Sequence, residues 1–148
     1  LRIVLDTTVL VSGLLKVHSP PARIVDMILI ERVRCVFDDR ILAEYAEVLG
    51  RPKFRPALDS GEGEQFLDFL RRTGEGVSAP PLPLAGPAPD AYDLPFAEAA
   101  VAGAAEAIVT GNLKHFEFFQ GNAWGIEILP PAGLVARLCA QGPDPRAG

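Results

Sequence analysis

The sequence predicts an α/β fold with a mostly parallel central sheet and helices on both faces. Three observations predict it. Short apolar runs alternate with segments of helical period along the chain, and strands that alternate with helices form parallel sheets covered on both sides. The first run, "RIVL", is apolar from its second residue onward rather than at every other position, as a strand buried on both faces is. The 148 residues are one domain's length, enough to bury roughly two-thirds of the surface that the unfolded chain exposes.

In chain order, "RIVLD" is a strand ending on Asp6. "ARIVDMILIERV" has helical period, with Ile24, Met27 and Ile28 on one face, and "RCVF" is a second short strand. "DDRILAEYAEVLG" is a helix: Asp38 or Asp39 caps it, Ile41, Leu42, Tyr45, Val48 and Leu49 form its stripe, and Gly50 stops it. "GEQFLDFLRRTG" is another, with Phe66, Leu67 and Leu70 inward and Gly74 closing it. "SAPPLPLAGPAPD" holds five of the fourteen prolines, which excludes a central strand; it reads as an extended connector, with a short edge strand at most near Val77. A helix, "DLPFAEAAVAG", a strand, "EAIVT", a turn, "GNLKHF", a last strand, "GIEIL", and a helix, "AGLVARLCA", complete a single domain over residues 1–140. The closing "QGPDPRAG", residues 141–148, is expected to be a disordered tail.

Composition bounds the function. No apolar run approaches the roughly 18–20 residues of a membrane span, so no membrane association is expected. The chain enters a strand without a charged-then-apolar leader, which leads to an expectation of cytoplasmic residence. Cys35 and Cys139 share no metal-type spacing and are expected to be reduced, buried thiols. The net charge of −5 argues against indiscriminate binding of nucleic acid, but an acidic pocket with basic residues grouped elsewhere remains compatible with it.

In parallel sheets, ligands bind beyond the carboxyl ends of the strands, and four polar residues are expected at that edge. Asp6 follows the first strand. Glu44 falls about a right angle from the centre of its helix's apolar stripe, at about 100° per residue, which puts it on the rim; Glu47 falls nearly opposite the stripe, in solvent. Asp93, with Asp90 nearby, stands at a helix N-terminus, and Asn112 follows the strand "AIVT". Each also has an ordinary reading: Asp93 as an N-cap, Glu44 as a solvated flank, Asn112 as a turn residue. Together they carry a different meaning. Crowded carboxylates repel, which raises their proton affinity unless a cation settles among them, and Mg²⁺ or Mn²⁺ suits hard oxygen donors.

"LDTTVLVSGLL", "ILAEYAEVL" followed by "RPKF", "D..FAEAA" and "AIVTGNLKHF", in this order and spacing, resemble the PIN-domain family, and more narrowly its bacterial branch of toxin components from toxin–antitoxin modules. The resemblance runs from about Arg2 to Leu138. It implies a three-layer α/β/α sandwich and metal-dependent endoribonuclease chemistry, with Mg²⁺ or Mn²⁺ held by Asp6, Glu44 and Asp93. It also implies RNA as substrate, a cognate antitoxin protein as partner, and a homo-oligomer, most often a dimer. Two positions depart from the family pattern. Thr8 stands where Asn is common, and Asn112 stands where a fourth acid is usual; its amide oxygen can ligate a metal or orient water but supplies no charge. Thr110 matches the family's threonine, and its hydroxyl is expected to fix the turn.

Thr7, Thr8 and Ser12 follow Asp6 and either bond to the metal's surroundings or cap the next helix. Arg51, Lys53 and Arg55, with Phe54 between them, and Lys114 and His115 form the local positive charge that RNA requires. For the first three, the alternative is that cations after a helix C-terminus complement its dipole and stay solvated. A receiver-type domain would need a second acid beside the first strand's end, and a haloacid-dehalogenase-type phosphatase would need Asp where Thr8 stands; neither fits. The serious alternative is a PIN-like module that binds RNA or protein without catalysis, which Asn112 favours.

Overall fold

Ile3, Val4 and Leu5 are fully buried, as are Ala107, Ile108 and Val109, because these two apolar runs lie side by side at the centre of the sheet. The computed structural model describes residues 1–83, 90–119 and 121–141. Its strands are β1 (Arg2–Leu5), β2 (Arg34–Phe37), β3 (Glu75–Gly76), β4 (Ala107–Val109) and β5 (Glu127–Leu129). They form one sheet in the order β3-β2-β1-β4-β5, with every neighbouring pair parallel.

The helices are α1 (Thr7–Leu15), α2 (Pro20–Leu29), α3 (Asp39–Leu49), α4 (Glu62–Thr73), α5 (Leu94–Ala102) and α6 (Pro131–Ala140). From β1 to β2 to β3 the chain steps one way along the sheet; from β3 to β4 it steps back past β1. Crossovers between parallel strands are right-handed, so the two directions place their helices on opposite faces. The result is a three-layer α/β/α sandwich, in which α5 lies on β1, β2 and β4 and α2 packs on α1 and α6. The reversal falls between β1 and β4, which makes their carboxyl ends the topological switch point where such sheets bind ligands.

That edge is pinned by three contacts. Leu5 pairs with Val109, and the Asp6 amide donates to the Val109 carbonyl at 2.9 Å, so β1 and β4 end level. Tyr45, fully buried on α3, donates its hydroxyl to the Leu5 carbonyl and so fixes α3 against the end of β1. The third is a close approach of α1 to α2: a Cβ on Gly13 would come within 2.5 Å of Val25 Cγ2 and 2.8 Å of the Pro21 carbonyl oxygen. Only glycine fits there.

A second set of charged side chains ties α3, α5 and the proline-rich connector together. Asp38 caps α3 by accepting from the Ile41 amide at 3.0 Å, and its other oxygen pairs with Arg40 at 2.6 Å. Arg40 reaches on to Glu98 of α5 at 2.8 Å, and Glu98 accepts from the Leu82 amide at 3.1 Å. Asp38 and Glu98 are buried, and their carboxylates are matched within this network.

Two sequence expectations need amendment, one helix adds to the sequence reading, and the expected edge strand is present. Helix α1 follows β1 at once; its residues are apolar nearly all round, so it presents no periodic stripe. Helix α2 starts at Pro20 and ends at Leu29, short of Val33, because Glu31 takes a left-handed φ of 60° that turns the chain into β2. Cys35 is buried as expected, whereas Cys139 is exposed: the buried side of α6 is set by Leu134 and Leu138, and the next residue turns away from it. The edge strand near Val77 is β3, Glu75–Gly76, with the Val77 amide donating to the Phe37 carbonyl at 2.8 Å. The connector expectation over residues 84–89 and the tail expectation over residues 142–148 lie outside the described residues. Among the described residues, no helix is long and apolar enough to cross a membrane.

Candidate active site

Asp6 is the N-cap residue of α1, yet its carboxylate makes no capping bond to the amides further into the helix. It accepts instead from the Thr110 hydroxyl at 2.7 Å. The same hydroxyl oxygen accepts from the Asn112 amide at 3.1 Å. One fully buried threonine therefore orients the first acid and fixes the turn that carries Asn112.

Glu44 sits half-buried on the rim of α3, where the helical period placed it, and Glu47 is exposed and paired with Arg51 at 2.9 Å. The Thr7 hydroxyl, at the first position of α1, donates to the Glu44 carboxylate. Thr7 thus bridges α1 to α3 rather than capping a helix. Asp93 is the N-cap residue of α5 by position, again without a side-chain bond to the helix. Pro95 removes one of the two amides that such a cap uses. The Asp93 carboxylate lies 3.7 Å from His115 Nδ1 instead.

These acids share one cavity of about 510 Å³. Asp6, Glu44, Asp93, Asn112 and His115 line it, together with Thr7, Thr8, Ser12, Arg51, Lys53 and Phe54. Burial lifts the Asp6 carboxyl above its ordinary value, against the Thr110 hydroxyl, the Thr7 backbone and His115, which lower it. Burial also lifts Glu44, opposed by the Thr7 hydroxyl and reinforced by the charges of Asp6, Asp93 and Glu47. Asp93 is raised by burial and by Asp90 and Asp6, with His115 opposing. The three carboxylates therefore feel one another's charge.

Some sequence candidates stand elsewhere. Asp90 is exposed and accepts from the Tyr92 amide at 2.9 Å, a turn role outside the cavity. Arg55 borders a different hollow, with Leu49, Leu58 and Glu64, because the short 3-10 turn at Pro52–Phe54 rotates it away from Lys53. His115 lines the acid cavity, and Lys114, exposed beside it, does not. Lys53 lies over the Phe54 ring, 5.1 Å from its centroid. Tyr92 and Phe96 also line the cavity and were not among the sequence candidates. The signal for Tyr92 was an aromatic set between two acids in "DAYD", just ahead of a helix.

Among the described residues, no three His, Cys, Asp or Glu side chains stand close enough to enclose a metal ion by themselves. The three acids are thus not a closed cage. The donor set still fits a hard divalent ion, since Mg²⁺ is commonly held by one or two carboxylates, waters and substrate phosphates rather than by an all-protein shell. Asp6 and Asp93 could serve as those carboxylates, with Glu44 reaching the ion through water.

The family model described as PIN domain matches residues 2–114, from β1 through the turn that bears Asn112. No curated protein and no solved structure matches the chain. The five-stranded parallel sheet agrees with that match, and the chain belongs to the PIN-domain family.

Proposed function

We propose that this protein is a metal-dependent endoribonuclease that hydrolyses RNA phosphodiester bonds. PIN domains are in general nucleases that use divalent metal ions. The observation that carries the reading is one cavity lined by Asp6, Glu44 and Asp93, each with its proton affinity raised, in which Asp93 lies 3.7 Å from His115.

A bound Mg²⁺ or Mn²⁺ supplies a water of lowered pKa and polarises a non-bridging phosphate oxygen. Asp6 and Asp93 hold the ion, with the Asp6 carboxylate kept in one orientation by Thr110. Glu44, fixed by the Thr7 hydroxyl, orients the attacking water; its raised proton affinity moves it toward the range of a useful base. Asn112 contributes an amide oxygen where the family usually has a carboxylate. Lys53 and His115 stand on the wall of the cavity to meet phosphate, and Phe54 offers a face for a base.

Within the same proposal, the protein is the toxin component of a toxin–antitoxin module, acts in the cytoplasm as a homodimer, and is held inactive by an antitoxin. These parts rest on the motif resemblance. Growth arrest on expression, relieved by co-expressing an adjacent small protein, tests them.

A second reading, a PIN module that binds without cutting, is favoured by Asn112 and by the absence of a ready three-ligand group among the described residues. Incubation of single-stranded RNA with Mg²⁺ or Mn²⁺ separates the two. The nuclease reading expects metal-dependent cleavage that Asp6→Asn reduces by at least about a thousandfold. RNA retained intact but bound, across both metals, selects the binding module.

A further inference from the structure

A second cleft of about 690 Å³ opens between α3 and the start of α5, beside the acid cavity. Its size is within the roughly 300–1,000 Å³ of sites that take small molecules or fragments of larger ones. Glu44, Val48, Arg51, Tyr92 and Phe96 line both hollows, so the two are continuous, with Tyr92 on the boundary. Tyr92 is 75% exposed, and its ring is open to a partner.

The cations of this cleft are already matched. Arg51 pairs with Glu47 at 2.9 Å, and Arg40 with Asp38 and Glu98 at 2.6 and 2.8 Å. Glu44 on its border repels a phosphate. Ile41, Val48, Pro95 and Phe96 supply apolar wall. An uncharged flat group suits such a place: apolar walls take its faces, and an exposed aromatic stacks on it. Lys53, by contrast, lines the acid cavity and has no carboxylate partner among the described residues.

We propose that the cleft between α3 and α5 is a nucleobase subsite, in which Tyr92 stacks on a base of the RNA strand whose phosphate occupies the acid cavity. The inference rests on the nuclease reading and extends it to a recognised nucleotide beside the scissile bond. An apolar protein segment could meet the same walls, but continuity with the acid cavity favours the RNA strand already there.

The test uses single-stranded RNA oligonucleotides with 2-aminopurine at successive positions, titrated onto the full chain in the Asp6→Asn background so that the strand stays intact. Stacking at Tyr92 quenches the fluorophore at one position. Tyr92→Ala is expected to weaken binding about tenfold, in line with the value of one base–aromatic stack, and to abolish that quench. The salt dependence of binding keeps its slope, since no phosphate contact is lost. Tyr92→Phe and Tyr92→Trp retain affinity and quench. Unchanged affinity and quench in Tyr92→Ala overturn the subsite, as does a loss accompanied by a flatter salt slope. Cleavage by the unmodified chain, assayed in parallel, judges the nuclease reading separately. If no RNA binds at all, both fall.

Discussion

Two groups of buried or half-buried carboxylates lie near each other in this molecule, and they are treated in opposite ways. Asp38 and Glu98 are joined by Arg40 and by the amides of Ile41 and Leu82. Asp6, Glu44 and Asp93 have two hydroxyls and a histidine at 3.7 Å; burial raises all three proton affinities, and the charge of Asp6 adds to the rise at Glu44 and Asp93. The first group holds two helices and a connector together. The second, under the proposed nuclease reading, holds negative charge in reserve for a divalent cation. The difference shows that burial of acids is not by itself a sign of function; burial without a matching cation is.

The largest expected effect comes from removing the cation of the matched group. Arg40→Ala leaves Asp38 and Glu98 buried and unpaired, and should destabilise the fold by about 2–3 kcal/mol, discounted from a fully buried pair because Arg40 is half exposed. Chemical denaturation measures it, and a loss below ~0.5 kcal/mol would mean that the network is not structural. Next, Asn112→Asp adds a fourth carboxylate to the unmatched group. Mn²⁺ affinity by calorimetry should rise about tenfold, equivalent to ~1.4 kcal/mol; no rise would place residue 112 outside the reach of the ion.

Asp6→Asn should stabilise the metal-free protein by about 1 kcal/mol, opposite in sign to Arg40→Ala, because an amide still accepts from Thr110 and no longer carries a buried charge. The same physics sets a pH dependence. Asp6, Glu44 and Asp93 have folded values raised above the unfolded ones, so their contribution is fully present below the ordinary carboxylate range. It is lost as pH rises through the raised values. The melting temperature of the metal-free protein should therefore climb as pH is lowered from neutral toward the carboxylate range, and saturating Mn²⁺ should cancel that climb. A flat profile without metal would mean that burial does not raise the three acids.

The smallest expected effect separates Lys53 from Arg55. Lys53→Ala should weaken RNA binding a few-fold and reduce its salt slope by about one, whereas Arg55→Ala, facing another hollow, leaves both unchanged. Equal effects would return Arg55 to the RNA path.

How much of this could be read from residues alone depended on the range of the interaction. Strands β1, β2 and β4 were legible because their apolar runs are buried on both faces, and Glu44 because helical period fixes an angle from the stripe. Thr110 was legible as a turn-former, and its hold on Asp6 was not, since 104 residues separate them. Arg40 and Glu98 meet across 58 residues, which no local pattern announces. Arg55 was grouped with Lys53 because neighbours in sequence were treated as neighbours on a surface, and a single 3-10 turn undid that. Tyr92 needed two helices in place before its exposure meant anything.

The bond between Thr110 and Asp6 also sets a time order. During synthesis, β1 leaves the ribosome early, but the strand that must lie beside it and the hydroxyl that aims its acid come about a hundred residues later. A nascent chain that ends before Ala107 has the first carboxylate and no means of orienting it. Under the proposed nuclease reading, a chain that lacks β4 and Thr110 therefore carries the first acid of the site without the hydroxyl that aims it.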